Sequence, residues 1–437
     1  MKLYDSLSNK TFDVVSKNIT VYNCGPTVYN DIHIGNARPL VAFDALVRFM
    51  RTQGYTVTYI HNITDIDDKI INKAKEEKTT ESAISTLYYE HYLDINKALN
   101  TVEMQMPKVS QNVDGIIKYI SKLVDAKAAY VTDNGDVYFD ISSVKNYGVL
   151  SHQNIEQLKE GVRKELAIDK RSPLDFVLWK KTETGLNWKS PWSVGRPGWH
   201  TECAFFINKL VGDHVTIHGG GIDLKFPHHE NENAQNNALY HRNIADIWMH
   251  VGHVNVNDEK MAKSLGNFVL VKDILTKYTG NDVRWFLYQT KYQNPMNFTP
   301  ELFEQSSNEL LKMFQQINQG YVQMIFNDIP VQSHIVPMGE EFIKHMNNDL
   351  DIPNAKVVLW EQVKKLASYI RGKKFDEFQK DVAVIVNEFS VLGIQYVNPL
   401  NNPDIHSLIE EWKRATNEKD YILSDKYRQT LIDKKVI

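Results

Sequence analysis

The apolar positions change period along the chain. Asn18 to Tyr22 is a short β-branched run that ends at the Gly25-Pro26 break, and Leu40, Phe43, Leu46, Val47 and Met50 then recur at helical intervals within Ala37 to Gly54. Tyr55 to Ile60 alternates as a strand before the acidic segment Thr64-Asp65-Ile66-Asp67-Asp68. Strand, helix and strand form a βαβ unit, which builds a parallel sheet with ligands at the carboxyl ends of its strands. The loops Cys24 to Asn36 and His61 to Asp68 are therefore expected to face one crevice. From about Ile116 to Ser190 the pattern is irregular and reads as an inserted subdomain, with Asp133-Asn134-Gly135-Asp136 as the turn of a hairpin. An α/β pattern returns with Val215 to His218, three glycines from Gly219 and the helix-like stretch Asn231 to Tyr240. After Pro300 the strands stop. Phe303, Leu310, Phe314, Ile317, Tyr321 and Met324 fall at helical spacing, as do Val357, Trp360, Val363 and Ala367, so the C-terminal third reads as a helical bundle.

A length of 437 residues asks for about three domains, and 42% hydrophobic with 24% charged residues excludes disordered and collagen-like classes. The formal charge of −4 gives no whole-chain attraction to polyanions, so nucleic-acid binding would need a local basic face. Trp412 to Ile437, with seven Lys or Arg against four Asp or Glu, offers a modest one or simply a solvated helix. Cys24 and Cys203 are too few for a disulfide framework. No run approaches the roughly 18 apolar residues of a membrane span, and Met1 to Ser16 is polar, so a cytoplasmic protein without membrane partners is expected.

Candidate chemistry begins at His33-Ile34-Gly35-Asn36, where a strand-to-helix loop can place His33 and Asn36 against an anion at a helix N-terminus. A lone His-x-Gly is more often structural. Roughly 230 residues later, Lys260-Met261-Ala262-Lys263-Ser264 brackets a turn with two lysines able to neutralise a departing pyrophosphate, although a lone Lys-x-x-Lys is usually a solvated loop. In this order the two segments resemble the paired signatures of class I aminoacyl-tRNA synthetases. Tyr22 to Tyr29, Asn62 to Lys69, Gly198 to Cys203, His218 to Glu232 and Ile247 to His250 extend the likeness collinearly, and nearly the whole chain resembles the cysteinyl-tRNA synthetase family. There are two departures. Ala262 stands where the family usually has serine, and the chain ends at Ile437 where many members continue.

Cys24, Cys203, His228 and Glu232 offer two thiolates, an imidazole and a carboxylate, a zinc-type set, with His228 and Glu232 four residues apart on one helix face. His229 and Glu230 are the neighbouring alternatives. The resemblance implies one zinc per chain on the first four, with discrimination of cysteine from serine by the metal's preference for a thiolate. It further implies Trp199 on the substrate side chain, Thr64 near its carboxylate and Asp223 near its amino group. Read alone, Trp199 could be core and Thr64 a helix cap. Gly219, Gly220 and Gly221 suit close approach of a nucleotide, as Gly35 and His33 do beside them. The implied fold is a Rossmann-type catalytic domain in two halves, residues 1–115 and 191–255, split by an insertion at 116–190. A connecting segment at 256–300 carries the lysine loop, and a helical tRNA-binding domain follows at 301–437. The implied activity is ATP-dependent activation of cysteine, with Mg²⁺, and its transfer to tRNA(Cys) by a monomer. His33, Asn36, Lys260 and Lys263 are the expected catalytic residues. A ligase passing cysteine to an amino sugar would share the activating domain but not the helical C-terminal third.

Overall fold

The structure, a computed structural model, describes residues 1–153, 169–261 and 266–437. It comprises two compact units, Met1–Thr276 with Tyr292–Met296, and Lys277–Lys291 with Asn297–Ile437.

At the centre of the first unit is a parallel sheet of β1 (Asn18–Asn23), β2 (Thr56–Ile60), β3 (Val215–Gly221) and β4 (Ala245–Val251), in the order β4-β3-β1-β2. Helix α1 (Ile34–Thr52) connects β1 to β2. Helices α2 (Asp68–Glu76), α3 (Glu202–Leu210) and α4 (Glu230–Tyr240) follow. The sheet winds outward in opposite directions from the β1–β3 pair, so a crevice opens at their carboxyl ends. Register aligns Ile60, Tyr22, His218 and Trp248 in one row across the sheet. Residues paired in this way share a face. Helix α1 starts at Ile34, three residues before the apolar stripe, because Ile34 is itself buried; His33 is thereby its N-cap.

The irregular stretch folds as a helix, Val113–Asp125, and a five-stranded sheet whose paired strands are antiparallel. The expected hairpin joins Ala129–Val131 to Val137–Phe139, with Gly135 at φ +93° in its turn. Phe139, Phe176, Leu178 and Trp179 share one hydrophobic cluster with Tyr22, Cys203, Phe206 and Trp248, so the insertion and the parallel sheet have a common core.

The second unit is helical, with α5 (Pro300–Phe326), α6 (Ile352–Arg371), α7 (Phe375–Val391), α8 (Pro403–Asn417) and α9 (Tyr421–Asp433). Leu310, Met313, Ile317 and Met324 are the buried stripe of α5. On α6 the expected stripe needs correction. Val357 is 57% exposed, and the buried face is Ala355, Leu359, Val363 and Leu366. Lys356 is buried too; its Nζ donates to the Trp285 carbonyl at 3.0 Å, and burial lowers the ammonium to about 7. The last two helices pack through Ile405, Ile409 and Leu431 against Val322 and Ile325 of α5. Among the described residues no helix is long and apolar enough to cross a membrane.

Candidate active site

Four segments meet at the crevice. Cys24 follows β1, its N–H donating to the Gly219 carbonyl of β3 at 3.1 Å; Cys203 lies in the first turn of α3; His228 precedes α4; and Glu232 lies in the first turn of α4. Phe226 is extended (φ −137°, ψ 133°), so His228 does not belong to an unbroken helix, yet its Nε2 stands 2.9 Å from Glu232 Oε1. Cys24 Sγ is 3.7 Å from Cys203 Sγ and 3.5 Å from Glu232 Oε1, and Cys203 Sγ is 3.6 Å from His228 Nε2. A tetrahedral zinc with Zn–S near 2.3 Å and Zn–N near 2.0 Å sets S···S at about 3.8 Å and S···N at about 3.5 Å. The four donors lie within 4.8 Å of one another. The donor types and spacings fit zinc.

A second grouping, Cys24, His218, His229 and Glu232, shares two of these residues. In it, His218 has Nδ1 at 3.0 Å from the Tyr22 carbonyl and Nε2 at 2.6 Å from Glu232 Oε2, so both ring nitrogens are engaged with oxygen. That arrangement gives each ring nitrogen an oxygen partner and orients the carboxylate. His229 bridges His250, at 2.9 Å, and Cys24 Sγ, at 3.3 Å. Glu230 lies elsewhere, accepting from the backbone of Gly148 at 2.9 Å and of Ser151 at 2.8 Å.

The electrostatics follow from burial and from these contacts. Burial would raise the Glu232 carboxyl, but His218 and His228 hold it well below the usual range. Burial would lower His228, and Glu232 together with Cys203 outweighs it, so that imidazole is raised well above its ordinary value. Burial, then Cys203, pushes the Cys24 thiol up, whereas hydrogen bonds from Cys24 and His228 overcome burial at Cys203 and bring it to about 7.

A pocket of about 480 Å³ opens from the cluster and reaches the N-terminus of α1. Trp199 lies on its wall, stacked on His228 with centroids 4.4 Å apart. Thr64 also lines it, but not as a helix cap: Asp67 caps α2, accepting from Lys69 N at 2.7 Å. The Thr64 hydroxyl instead donates to Glu202 and accepts from Asn62 Nδ2 at 3.3 Å. Asp223 is exposed on the pocket wall. His33 stacks on Phe268 at 5.1 Å, and burial lowers it to about 4, so its imidazole is neutral at pH 7. Asn36 Oδ1 accepts from the His33 N–H at 3.3 Å.

A Cβ on Gly35 would meet Met261 Cε at 2.7 Å, so this glycine lets the start of the lysine loop close on α1. Gly219 has a different use. A Cβ there would stand 1.8 Å from the Met249 carbonyl, and only Gly221 of the three glycines lines the pocket. Lys260 is exposed on the short strand Glu259–Lys260, outside the pocket wall; Lys263, with Ala262 and Ser264, lies outside the described residues. Three pocket residues lie in segments that the sequence pattern marks, without a role of their own having been expected for them. Glu202 and His61 are buried polar residues, and Lys69 has its Nζ 5.8 Å from the Trp199 centroid and 5.5 Å from that of Tyr29.

Residues 11–308 match the family model described as the class I (C) tRNA synthetase catalytic domain. A solved structure of Mycobacterium tuberculosis methionyl-tRNA synthetase in complex with methionyl-adenylate aligns with a TM-score of 0.64, covering 90% of this chain and 94% of that one. At 14% identity the likeness is one of fold. Fold and matched domain are thus those of a class I tRNA synthetase. Among curated proteins, the cysteine–tRNA ligase of Ureaplasma parvum is 46% identical, with 99% of both chains covered. That of Malacoplasma penetrans is 45% identical over the whole of both, and that of Geobacillus thermodenitrificans 38% identical over 100% of this chain and 96% of the relative. The chain belongs to the cysteine–tRNA ligase family.

Proposed function

We propose that this pocket joins cysteine to ATP, forming cysteinyl-adenylate and pyrophosphate, and that the chain then transfers cysteine to the 3′-terminal adenosine of tRNA(Cys). The observation that supports the reading is the meeting, in one pocket, of a thiol, imidazole and carboxylate cluster with the helix N-terminus at His33. The cysteine carboxylate attacks the α-phosphate of Mg²⁺-bound ATP and pyrophosphate leaves; a terminal ribose hydroxyl of the tRNA then attacks the mixed anhydride.

Cys24, Cys203, His228 and Glu232 would hold one zinc, which when bound supplies a soft coordination position that a substrate thiol fills and a serine hydroxyl fills poorly. Trp199, fixed by its stack on His228, packs on the substrate side chain and excludes water. Asp223 receives the ammonium, and Thr64 stands near the carboxylate. His33 presents a neutral imidazole to the phosphates, and Asn36, whose Oδ1 is occupied by the His33 N–H, keeps its Nδ2 hydrogens for them. Lys260 and Lys263 neutralise the departing pyrophosphate. Gly35 and Gly221 admit the nucleotide, with Gly219 and Gly220 behind them in the sheet. The chain is read as a monomer, and a cytoplasmic place goes with the tRNA substrate.

The test is cysteine-dependent exchange of pyrophosphate into ATP, with and without a zinc chelator, followed by charging of a tRNA pool. Exchange that needs cysteine, falls with chelation and leads to charged tRNA(Cys) is the expected result. Exchange that is indifferent to cysteine would overturn the reading.

A further inference from the structure

The ring of His33 lies on Phe268, and Phe268 belongs to the segment that follows the lysine loop. That segment meets the start of α1 through an antiparallel bridge, with His33 opposite Leu270. The Ile34 N–H on the Val269 carbonyl, at 2.9 Å, closes the bridge on one side, and the Val271 N–H on the Ile32 carbonyl, at 3.0 Å, closes it on the other. The same register sets Asp31 opposite Lys272. Lys272 Nζ stands 2.5 Å from Asp31 Oδ2, and His91 Nδ1 stands 2.8 Å from Asp31 Oδ1.

His91 lies on the helix Glu81–Ala98, so three segments distant in sequence converge on one carboxylate, of which 4% is exposed. Asp31 lines the pocket, but both its oxygens are taken, which suits holding rather than binding. Ile32, Ile34 and Val271 are buried along the same seam. Apolar contact is without direction and only keeps the two segments together. A charge-assisted hydrogen bond is directional, and this one fixes where Leu270 and Phe268 stand along the start of α1.

We propose that the Asp31–Lys272 pair, braced by His91, is a positioning device for adenylate formation. It fixes the seam at which His33 and Phe268 meet, and it anchors the chain leaving the lysine loop. This rests on the reading of the pocket given above. Both residues act through His33 and the lysine loop, not on the reacting atoms. A phosphate contact displaced by about 1 Å loses much of its effect on rate. Trp199 and the thiol cluster stand on other elements, so recognition of cysteine does not depend on the pair.

The test is steady-state pyrophosphate exchange on wild type, Asp31→Asn, Lys272→Met and the double variant, with thermal melting alongside. Each single variant should show kcat lowered roughly tenfold with KM for cysteine within about twofold of wild type. The double variant should be no slower than the slower single, because the pair acts as one unit. Lys272 is 47% exposed, so its replacement leaves the fold intact and decides the matter even where Asp31→Asn melts early. Lys272→Arg, which keeps the charge, should recover to within about threefold of wild type. A kcat within about twofold of wild type in Lys272→Met, multiplied losses in the double variant, a matching rise in KM for cysteine, or no recovery in Lys272→Arg would each overturn the proposal. Wild type without cysteine-dependent exchange would instead overturn the reading of the pocket on which it depends.

Discussion

Replacing Cys203 with serine removes one donor of four while changing a single atom. The neighbouring donors stand 3.7 Å and 3.6 Å from this sulfur, and its pKa of about 7 makes the thiolate available near neutrality, which a serine hydroxyl is not. Structural zinc sites hold the ion with roughly 10–16 kcal/mol, so one ligand of four is worth about 3 kcal/mol, or roughly a hundredfold in Kd. Cys203→Ser should therefore lose zinc at chelator concentrations that wild type withstands. Pyrophosphate exchange with cysteine should fall at least as far, and exchange with serine should not rise to replace it. Thermal melting and near-ultraviolet circular dichroism, run in parallel, separate loss of the ion from loss of the fold. A folded, zinc-free variant that still strongly prefers cysteine would refute the reasoning: selection would then lie in the apolar wall at Trp199, and the metal would have only a structural part.

Gly25→Ala would place a Cβ 1.5 Å from the Asn62 carbonyl oxygen, so melting should show a loss of about 3 kcal/mol. His61 is buried, with Nδ1 on the Asn23 carbonyl and Nε2 on the Tyr92 hydroxyl, and burial lowers it to about 4. The unfolded chain takes up that proton first, so stability present above about pH 6.5 is lost as pH falls toward 4. His61→Gln should therefore lose about 2 kcal/mol less than wild type between pH 7 and pH 5 in urea titrations; equal losses would show that His61 is protonated in the fold. On α6, Leu359→Ala should cost about 2–5 kcal/mol while Val357→Lys stays within about 0.5 kcal/mol, and the reverse order in denaturant midpoints would restore the stripe expected from the sequence.

The parallel sheet was legible because β1, α1 and β2 each carry a clean period, and the step from 2 to 3.6 marks their boundaries. The insertion was legible only at its glycine turn. Strands as short as Ala129–Val131 and Trp188–Lys189 hold too few residues for a period, and their order depends on contacts distant in sequence. The face of α6 was misread because an apolar Val357 sits in solvent while Lys356 is buried with its amine on a backbone carbonyl. At the site, spacing alone could pair His228 with Glu232; Cys24 and Cys203 join them only through the fold and, in the sequence, through resemblance. His218 was marked in the sequence, but its role as a partner of Glu232 was not legible there, for a physical reason. Its part depends on a cross-strand register with Tyr22 and Trp248 that no local pattern carries. Glu202 likewise has meaning only through Thr64, 138 residues away.

Cys24 and Cys203 are 179 residues apart, with the whole insertion between them, while Cys203 and His228 are separated by 25. A ribosome therefore releases the first thiol long before any of its partners exists, and closing that span must wait for the insertion and the parallel sheet to share their core. A lone cysteine holds zinc weakly, so a nascent or misassembled chain would exchange its ion freely. A zinc held on the proposed ligands would therefore report, in a single event, that Cys24, Cys203, His228 and Glu232 have been brought together across that span.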